Sequence, residues 1–259
     1  MRYARAHWWL AALLPLIVLA FWPGYFADLR GASLAHHVHG IAGTLWLALA
    51  WAQSRAIATR RFALHAALGR ALFVAVPLFA AGAALAIVAL ATTHVAAANP
   101  FNARFGGRLA PIDTMSMILL PLLVRDALVH RRRADRHAAA MLATVLLVLP
   151  PVLGRLAGWI PGFPPGFEPS FHAAQLVSAA IAAGLWWRDR RGGAPFAVVA
   201  VVLPIQSLSF ALWDGQPFVG FAATLPPLPF AAVAAAASLE LLWTAWRPTA
   251  RRRESHVPG

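Results

Sequence analysis

HHVHGIAGTLWLALAWAQSRAIATRRFALHAALGRALFVAVPLFAAGAALAIVALATTH, residues 36–94, sets two long apolar runs on either side of a short arginine-bearing turn. Each run approaches the about 20 residues that a helix, rising about 1.5 Å per residue, needs to cross a hydrocarbon layer about 30 Å thick. The turn between them carries Arg55, Arg60 and Arg61. An apolar run, a cationic turn and a second apolar run make a helical hairpin through a bilayer, with the turn on the side that retains positive charge.

The same pattern extends over all 259 residues, which are 60% hydrophobic and 12% charged with a mean hydropathy of +0.66. Soluble domains carry about 25% charged residues. Segments 8–26, 39–56, 66–93, 110–129, 138–158, 171–187, 194–213 and 228–246 all come near spanning length. Arginine clusters at 55–70, 125–136 and 188–191 alternate with connections almost free of arginine. With Arg2 and Arg5 before the first span and Arg247, Arg251, Arg252 and Arg253 after the last, 18 of the 22 arginines fall on one side. These features predict an all-α, polytopic transmembrane bundle of about eight spans in one integral domain, with both termini cytoplasmic and a basic tail over 247–259.

Tryptophan supports this frame, since an amphipathic ring favours the interface. Trp8, Trp9, Trp22, Trp159, Trp186, Trp187, Trp213, Trp243 and Trp246 fall near predicted span ends, whereas Trp46 and Trp51 fall inside span two. The N-terminal MRYARAHWWLAALLPLIVLAFW begins like a signal peptide, but the following residues offer no small-x-small cleavage pattern, so it reads as a retained span. The net charge of +13 lies in short clusters between apolar runs, which sets topology in a lipid bilayer and excludes a nucleic-acid-binding face. The absence of cysteine excludes disulfides, thiolate metal sites and iron–sulfur clusters. The connections NPFNARFGGRLAP, GWIPGFPPGFEP and DGQPFVGFAATLPPLP are rich in turn formers and are expected to be irregular.

This topology sorts the histidines into two layers. His36, His37, His39, His94 and His172 lie at outer span ends, and His65, His130 and His137 at inner ones. His65 and His137 also occupy matching places in a weak internal echo, 60–77 against 132–150, in which paired arginines lead through a histidine to a proline. Layered neutral imidazoles on several helices suit b-type haem held between histidine pairs, with His39 and His172 outside and His65 and His137 inside. Gly43 and Gly69, each one turn after a histidine, leave room for a flat macrocycle, although such glycines also let bare helices pack closely. Met141, one turn after His137, is an alternative soft ligand. Arg70 and Arg155 are placed to clamp an anionic group such as a haem propionate, a quinone or a lipid phosphate.

Two other chemistries compete. His36, His37, His39 and His94 have the donor type for Zn²⁺ or Cu²⁺, with Asp113 and Glu168 as carboxylates on the same side, which would make a metal-dependent intramembrane hydrolase. No HExxH motif accompanies them. Glu240, inside span eight, costs free energy unless it meets a partner or water, so with Gln53, Asp113 and Arg155 it marks a transport or proton pathway. Gln53 or Gln206 is the expected structural partner for Glu240, and Asp126 beside Arg125 reads as an ion pair.

The order His39-Gly40, Trp46, Gln53, Arg55, His65, Gly69-Arg70, then His137, Met141 and Arg155 resembles a bacterial family of uncharacterised multi-pass membrane proteins with an HxHG…Q…R…HRxxGR signature. The likeness covers roughly residues 1–160, and where the signature has HR this chain has His65-Ala66. The resemblance implies a location in the bacterial inner membrane and treats these polar positions as one constellation. A looser similarity to cytochrome b561-type haem proteins rests on the layered histidines alone. The expectation is an electron carrier binding haem b, exchanging electrons with quinone or another redox partner.

Overall fold

The computed structural model describes Tyr3 and residues 5–247. Arg2, Arg251, Arg252, Arg253 and His256, with the rest of the basic tail from 248, lie outside the described residues. Within them every regular element is helical: α1 (Ala6–Phe21), α2 (Leu34–Ala58), α3 (Phe62–Arg70), α4 (Leu72–Val95), α5 (Pro100–Val129), α6 (Ala134–Leu146), α7 (Leu149–Leu156), α8 (Phe167–Arg188), α9 (Ala194–Leu212), α10 (Gln216–Thr224) and α11 (Pro227–Trp246). Short 3-10 turns cover Phe26–Asp28 and Ala157–Trp159. Leu72–Val95, Ala134–Trp159, Ala194–Leu212 and Pro227–Trp246 are long and apolar enough to cross a membrane, and Ala6–Phe21 is a shorter apolar helix.

Helix α4 is the central pillar, packed by α2, α3, α5, α10 and α11. Its alanines explain the position, since Ala80, Ala83, Ala84 and Ala91 are buried and let neighbouring backbones come close. At Gly82 the approach is closest, where an added Cβ would stand 2.9 Å from the His39 Cα. The main core joins Trp46 of α2, Val76 of α4, Leu120 and Val124 of α5, Ala143 of α6, Phe196 and Leu203 of α9 and Leu242 of α11. A second cluster packs α1 on α2 and α7 through Leu10, Leu13, Ile17, Leu47 and Val152.

The tryptophans divide by exposure. Eight of the nine at predicted span ends are exposed and Trp186 is half-buried, whereas Trp46 is 0% exposed and Trp51 is half-buried.

Two of the connections are not irregular. Residues 100–109 are the first third of α5, because the Asn99 side chain accepts from the Asn102 amide and Pro100 occupies a first-turn position that needs no N–H. In the 214–229 connection, α10 forms after Gly215, whose φ of +74 and close approach to the Gly107 carbonyl both demand glycine. The 160–166 stretch is irregular as expected, with Gly162 and Gly166 at positive φ. The segment 138–158 divides into α6 and α7 just before Pro150 and Pro151, and α3 stands apart from α4 at Ala71. Asp126 does not pair with Arg125. The Arg136 guanidinium folds back onto it with Nε and Nη2 donating at 2.8 and 2.9 Å, a two-pronged contact that adjacent residues on one helix cannot make.

Candidate functional site

At the end of the bundle that carries most of the arginines lies a cavity of about 930 Å³, bounded by α2, α3, α6 and the ends of α5 and α11. Gln53, His65, Arg70, His137 and Met141 all line it, so five of the polar or soft positions singled out by sequence meet in one space. Leu72, Leu128, Leu142 and Phe62 make much of its wall apolar, and Arg131, Arg191 and Asp135 add charge.

The His65 and His137 rings meet edge to face, with centroids 6.2 Å apart and planes at 82°. His137 Nδ1 donates to the Ala127 carbonyl at 2.8 Å, and that bond fixes the tautomer that leaves a lone pair on Nε2. His65 Nδ1 is buried without a hydrogen-bond partner, as is Gln53 Oε1. Burial, with a smaller contribution from the His137 ring, holds the His65 imidazole below its usual pKa against an opposing contact to the Gln53 backbone. His65 Nδ1 and Gln53 Oε1 are both polar atoms left without a partner in the packed structure. Gly69 lets α3 approach α2, since an added Cβ would touch Gln53 Nε2 at 3.5 Å.

His39, Trp46 and Gln53 are spaced seven residues apart and share one stripe of α2. At about 1.5 Å per residue the stripe carries His39 about 21 Å from Gln53, with Trp46 midway. Trp46 Nε1 donates to Thr144 Oγ1 at 3.1 Å, and Thr144 Oγ1 donates onward to the Met141 carbonyl at 2.6 Å. This buried pair, at the centre of the bundle, separates the inner cavity from the outer end.

A recess opens beyond it. Asp113 shares the α5 stripe of Leu120 and Val124, both 0% exposed, yet its own side chain is exposed. His39, on the stripe of fully buried Trp46, is exposed in the same way. Arg155 acts electrostatically on both, while its Nη1 donates to the Pro151 carbonyl at 3.0 Å and its Cζ lies 4.3 Å from the Phe21 ring. An added methyl at Gly43 would meet nothing within 4 Å, so the helix flank beside His39 is open.

The other outer histidines are engaged separately. His172 Nδ1 shares a hydrogen bond with Ser207 Oγ at 2.7 Å, and its helix α8 packs on α6, α7 and α9. The His39 ring instead lies 6.3 Å from Phe79. His36 Nδ1 bonds Ser33 Oγ at 2.8 Å and His37 Nδ1 bonds Tyr25 OH at 2.9 Å. His94 uses both nitrogens, Nδ1 donating to the Asn102 carbonyl at 2.7 Å and Nε2 accepting from Gln216 Nε2 at 3.1 Å. Among the described residues no three His, Asp or Glu side chains gather as a metal-ligand set. Glu168 pairs with Arg108 at 3.2 Å. Glu240 is away from the cavity, exposed on the face of α11 opposite its buried residues Ala231, Ser238 and Leu242.

Sequence reasoning passed over a buried polar ladder on the outer side. Gln206 Nε2 donates to Ser116 Oγ at 3.0 Å, and Gln175 Nε2 approaches Gln206 Oε1 at 3.4 Å, with Gln175 and Gln206 only 2% and 1% exposed. The signal was spacing, for Gln175 follows His172 by one helical step of three. Arg131 and Arg191 were assigned to topology alone, yet both reach the cavity rim. No family model, curated protein or solved structure matches this chain.

Proposed function

We propose that the inner cavity holds a b-type haem between His65 and His137, and that the protein is an electron carrier of the bacterial inner membrane. The observation that carries this reading is the close pair of imidazoles lining a cavity of about 930 Å³. Were both rings to hold one iron through nitrogen at about 2 Å, their centres would stand about 6 Å apart, close to the 6.2 Å between them here. The volume is at the upper end of the about 300–1,000 Å³ typical of cofactor sites.

The chain's own groups have separable roles here. Ala127 orients His137 through Nδ1, while burial keeps His65 neutral. Arg70, with Arg131 and Arg191, offers guanidinium forks to carboxylates at the cavity rim. Met141, Leu72, Leu128 and Leu142 would offer a bound macrocycle an apolar wall. When bound, the iron supplies one-electron chemistry, whose partner is a quinone or another redox protein.

The outer pairing of His39 with His172 has no comparable support, so one haem is proposed rather than two. The arginine distribution supports about eight crossings with cytoplasmic termini. A second reading, passage of a small solute, draws on the outer recess of His39, Asp113 and Arg155, set across the Trp46–Thr144 pair from the inner cavity.

Protein produced with haem supply is expected to show a Soret band and sharp reduced α-bands. His65→Ala and His137→Ala should each abolish them, and His39→Ala should leave them in place. Colourless wild-type protein that stays colourless on haem titration would falsify the haem reading. Solute uptake by that same colourless protein in vesicles, lost in Arg155→Gln, would select the second reading.

A further inference from the structure

Two charges of opposite sign stand unpaired on the outward surface of neighbouring helices. On α11 the exposed stripe is Val233, Ala237, Glu240 and Thr244; on α5 it is Ile118, Leu122, Arg125 and Val129. Both stripes follow the same 4-3-4 helical spacing, and in both the charge is the third residue. Neither side chain has a hydrogen-bond or ion-pair partner among the described residues.

The two helices pack side by side, parallel and in register. Met117 of α5 meets Ala231 of α11 in one apolar cluster, and Arg131 Nη1, just past α5, reaches the Ala245 carbonyl at 3.5 Å. The two contacts lie 14 residues apart on each helix, which places Arg125 at about the depth of Glu240. Helix α11 is also the least covered of the membrane-length segments, with 22% of its apolar window buried against 39% and 56% for the others.

A carboxylate or a guanidinium in an apolar stripe is costly against lipid tails and gains from a counter-charge at its own depth. A second copy supplies both. A two-fold axis along the membrane normal keeps every residue at its depth and turns the ordered pair of helices around, so that α5 of one copy faces α11 of the other. We propose that the protein is a two-fold dimer through α5 and α11, in which Arg125 of each copy pairs with Glu240 of its partner. The alanines Ala236 and Ala237 allow the close helix approach on which membrane association depends. This inference is independent of the cavity and its occupant.

The absence of cysteine gives a clean test. Arg125→Cys and Glu240→Cys, carried on separate chains with different tags and co-expressed, can join only between copies. Mild oxidation in membranes should give a dimer band bearing both tags, and Glu240→Cys with Leu176→Cys on exposed α8 should not. In detergent, Arg125→Glu or Glu240→Arg should weaken dimerisation at least tenfold by light-scattering mass, and the double exchange should restore it. Arg125→Gln and Glu240→Gln give the same comparison where a reversed charge prevents insertion. A monomeric mass for wild type with no mixed-tag band would overturn the proposal, as would a Glu240→Cys homodimer band in place of the mixed one.

Discussion

Trp46 shows how much one residue can report. In sequence it broke the rule that tryptophan sits at span ends, and in the fold it is fully buried with its indole N–H on Thr144. An unpaired indole N–H in a dry core is costly, so the hydroxyl opposite matters as much as the ring. Trp46→Phe and Thr144→Val should each lower stability by about 1 kcal/mol, and the double variant should lose clearly less than the sum, measured by thermal unfolding in one detergent. Trp46→Ala, which also empties the centre, should lose about 3–5 kcal/mol. The inner site was legible at this scale because a histidine or glutamine in an apolar run is conspicuous. The partners of such residues were not, since the sequence shows Gln175 and Gln206 as polar residues in apolar runs but not that they are buried together. His39 and His172 illustrate the same limit. Both fall at predicted span ends, but depth along a helix says nothing about azimuth, and azimuth decides which rings oppose each other.

Helix identity followed from length and hydropathy, whereas helix ends followed from chemistry that resembles loop chemistry. Asn99-Pro100 and the Gly106-Gly107 pair read as punctuation, yet Asn and Pro are also the residues that start a helix, and glycine also permits close packing. An added Cβ at Gly107 would stand 2.6 Å from the Asp214 carbonyl oxygen, so α5 extends because the turn before α10 folds onto its glycines. Pro111 contributes as well, since its missing N–H leaves the Gly107 carbonyl without its helical donor just where Gly215 packs. Asn99→Ala should cost about 1 kcal/mol through the lost cap. Gly215→Ala should cost about 1–3 kcal/mol from the left-handed backbone alone, and more from the collision with Gly107. Increased protease cutting near residues 97–103 would report the first, and a lowered unfolding temperature the second. If Gly215→Ala matched wild type, the close approach of the 214–215 turn to α5 would be wrong.

At the level of the whole molecule, the arginine asymmetry and the fold make one joint statement. The inner cavity is edged by Arg70, Arg131 and Arg191, which belong to three different positive clusters, so charges that orient the chain also collect at one opening. Oriented insertion needs the clusters on one side, so helix ends of like charge share one end of the bundle. A site for an anionic group at the positive side can therefore arise from topology and need not be built residue by residue. The orientation is directly measurable, again because no native cysteine interferes. Single substitutions Gly31→Cys, Ala97→Cys and Gly162→Cys, in connections on one side, should react with a membrane-impermeant maleimide in intact cells. Thr59→Cys, Arg132→Cys and Arg190→Cys, in the connections of the other side, should react only after permeabilisation. A uniform response within each group fixes an even number of crossings between consecutive same-side probes. Labelling of Arg132→Cys in intact cells would break the alternation at α5 and remove the basis for placing the His65–His137 cavity at the cytoplasmic face.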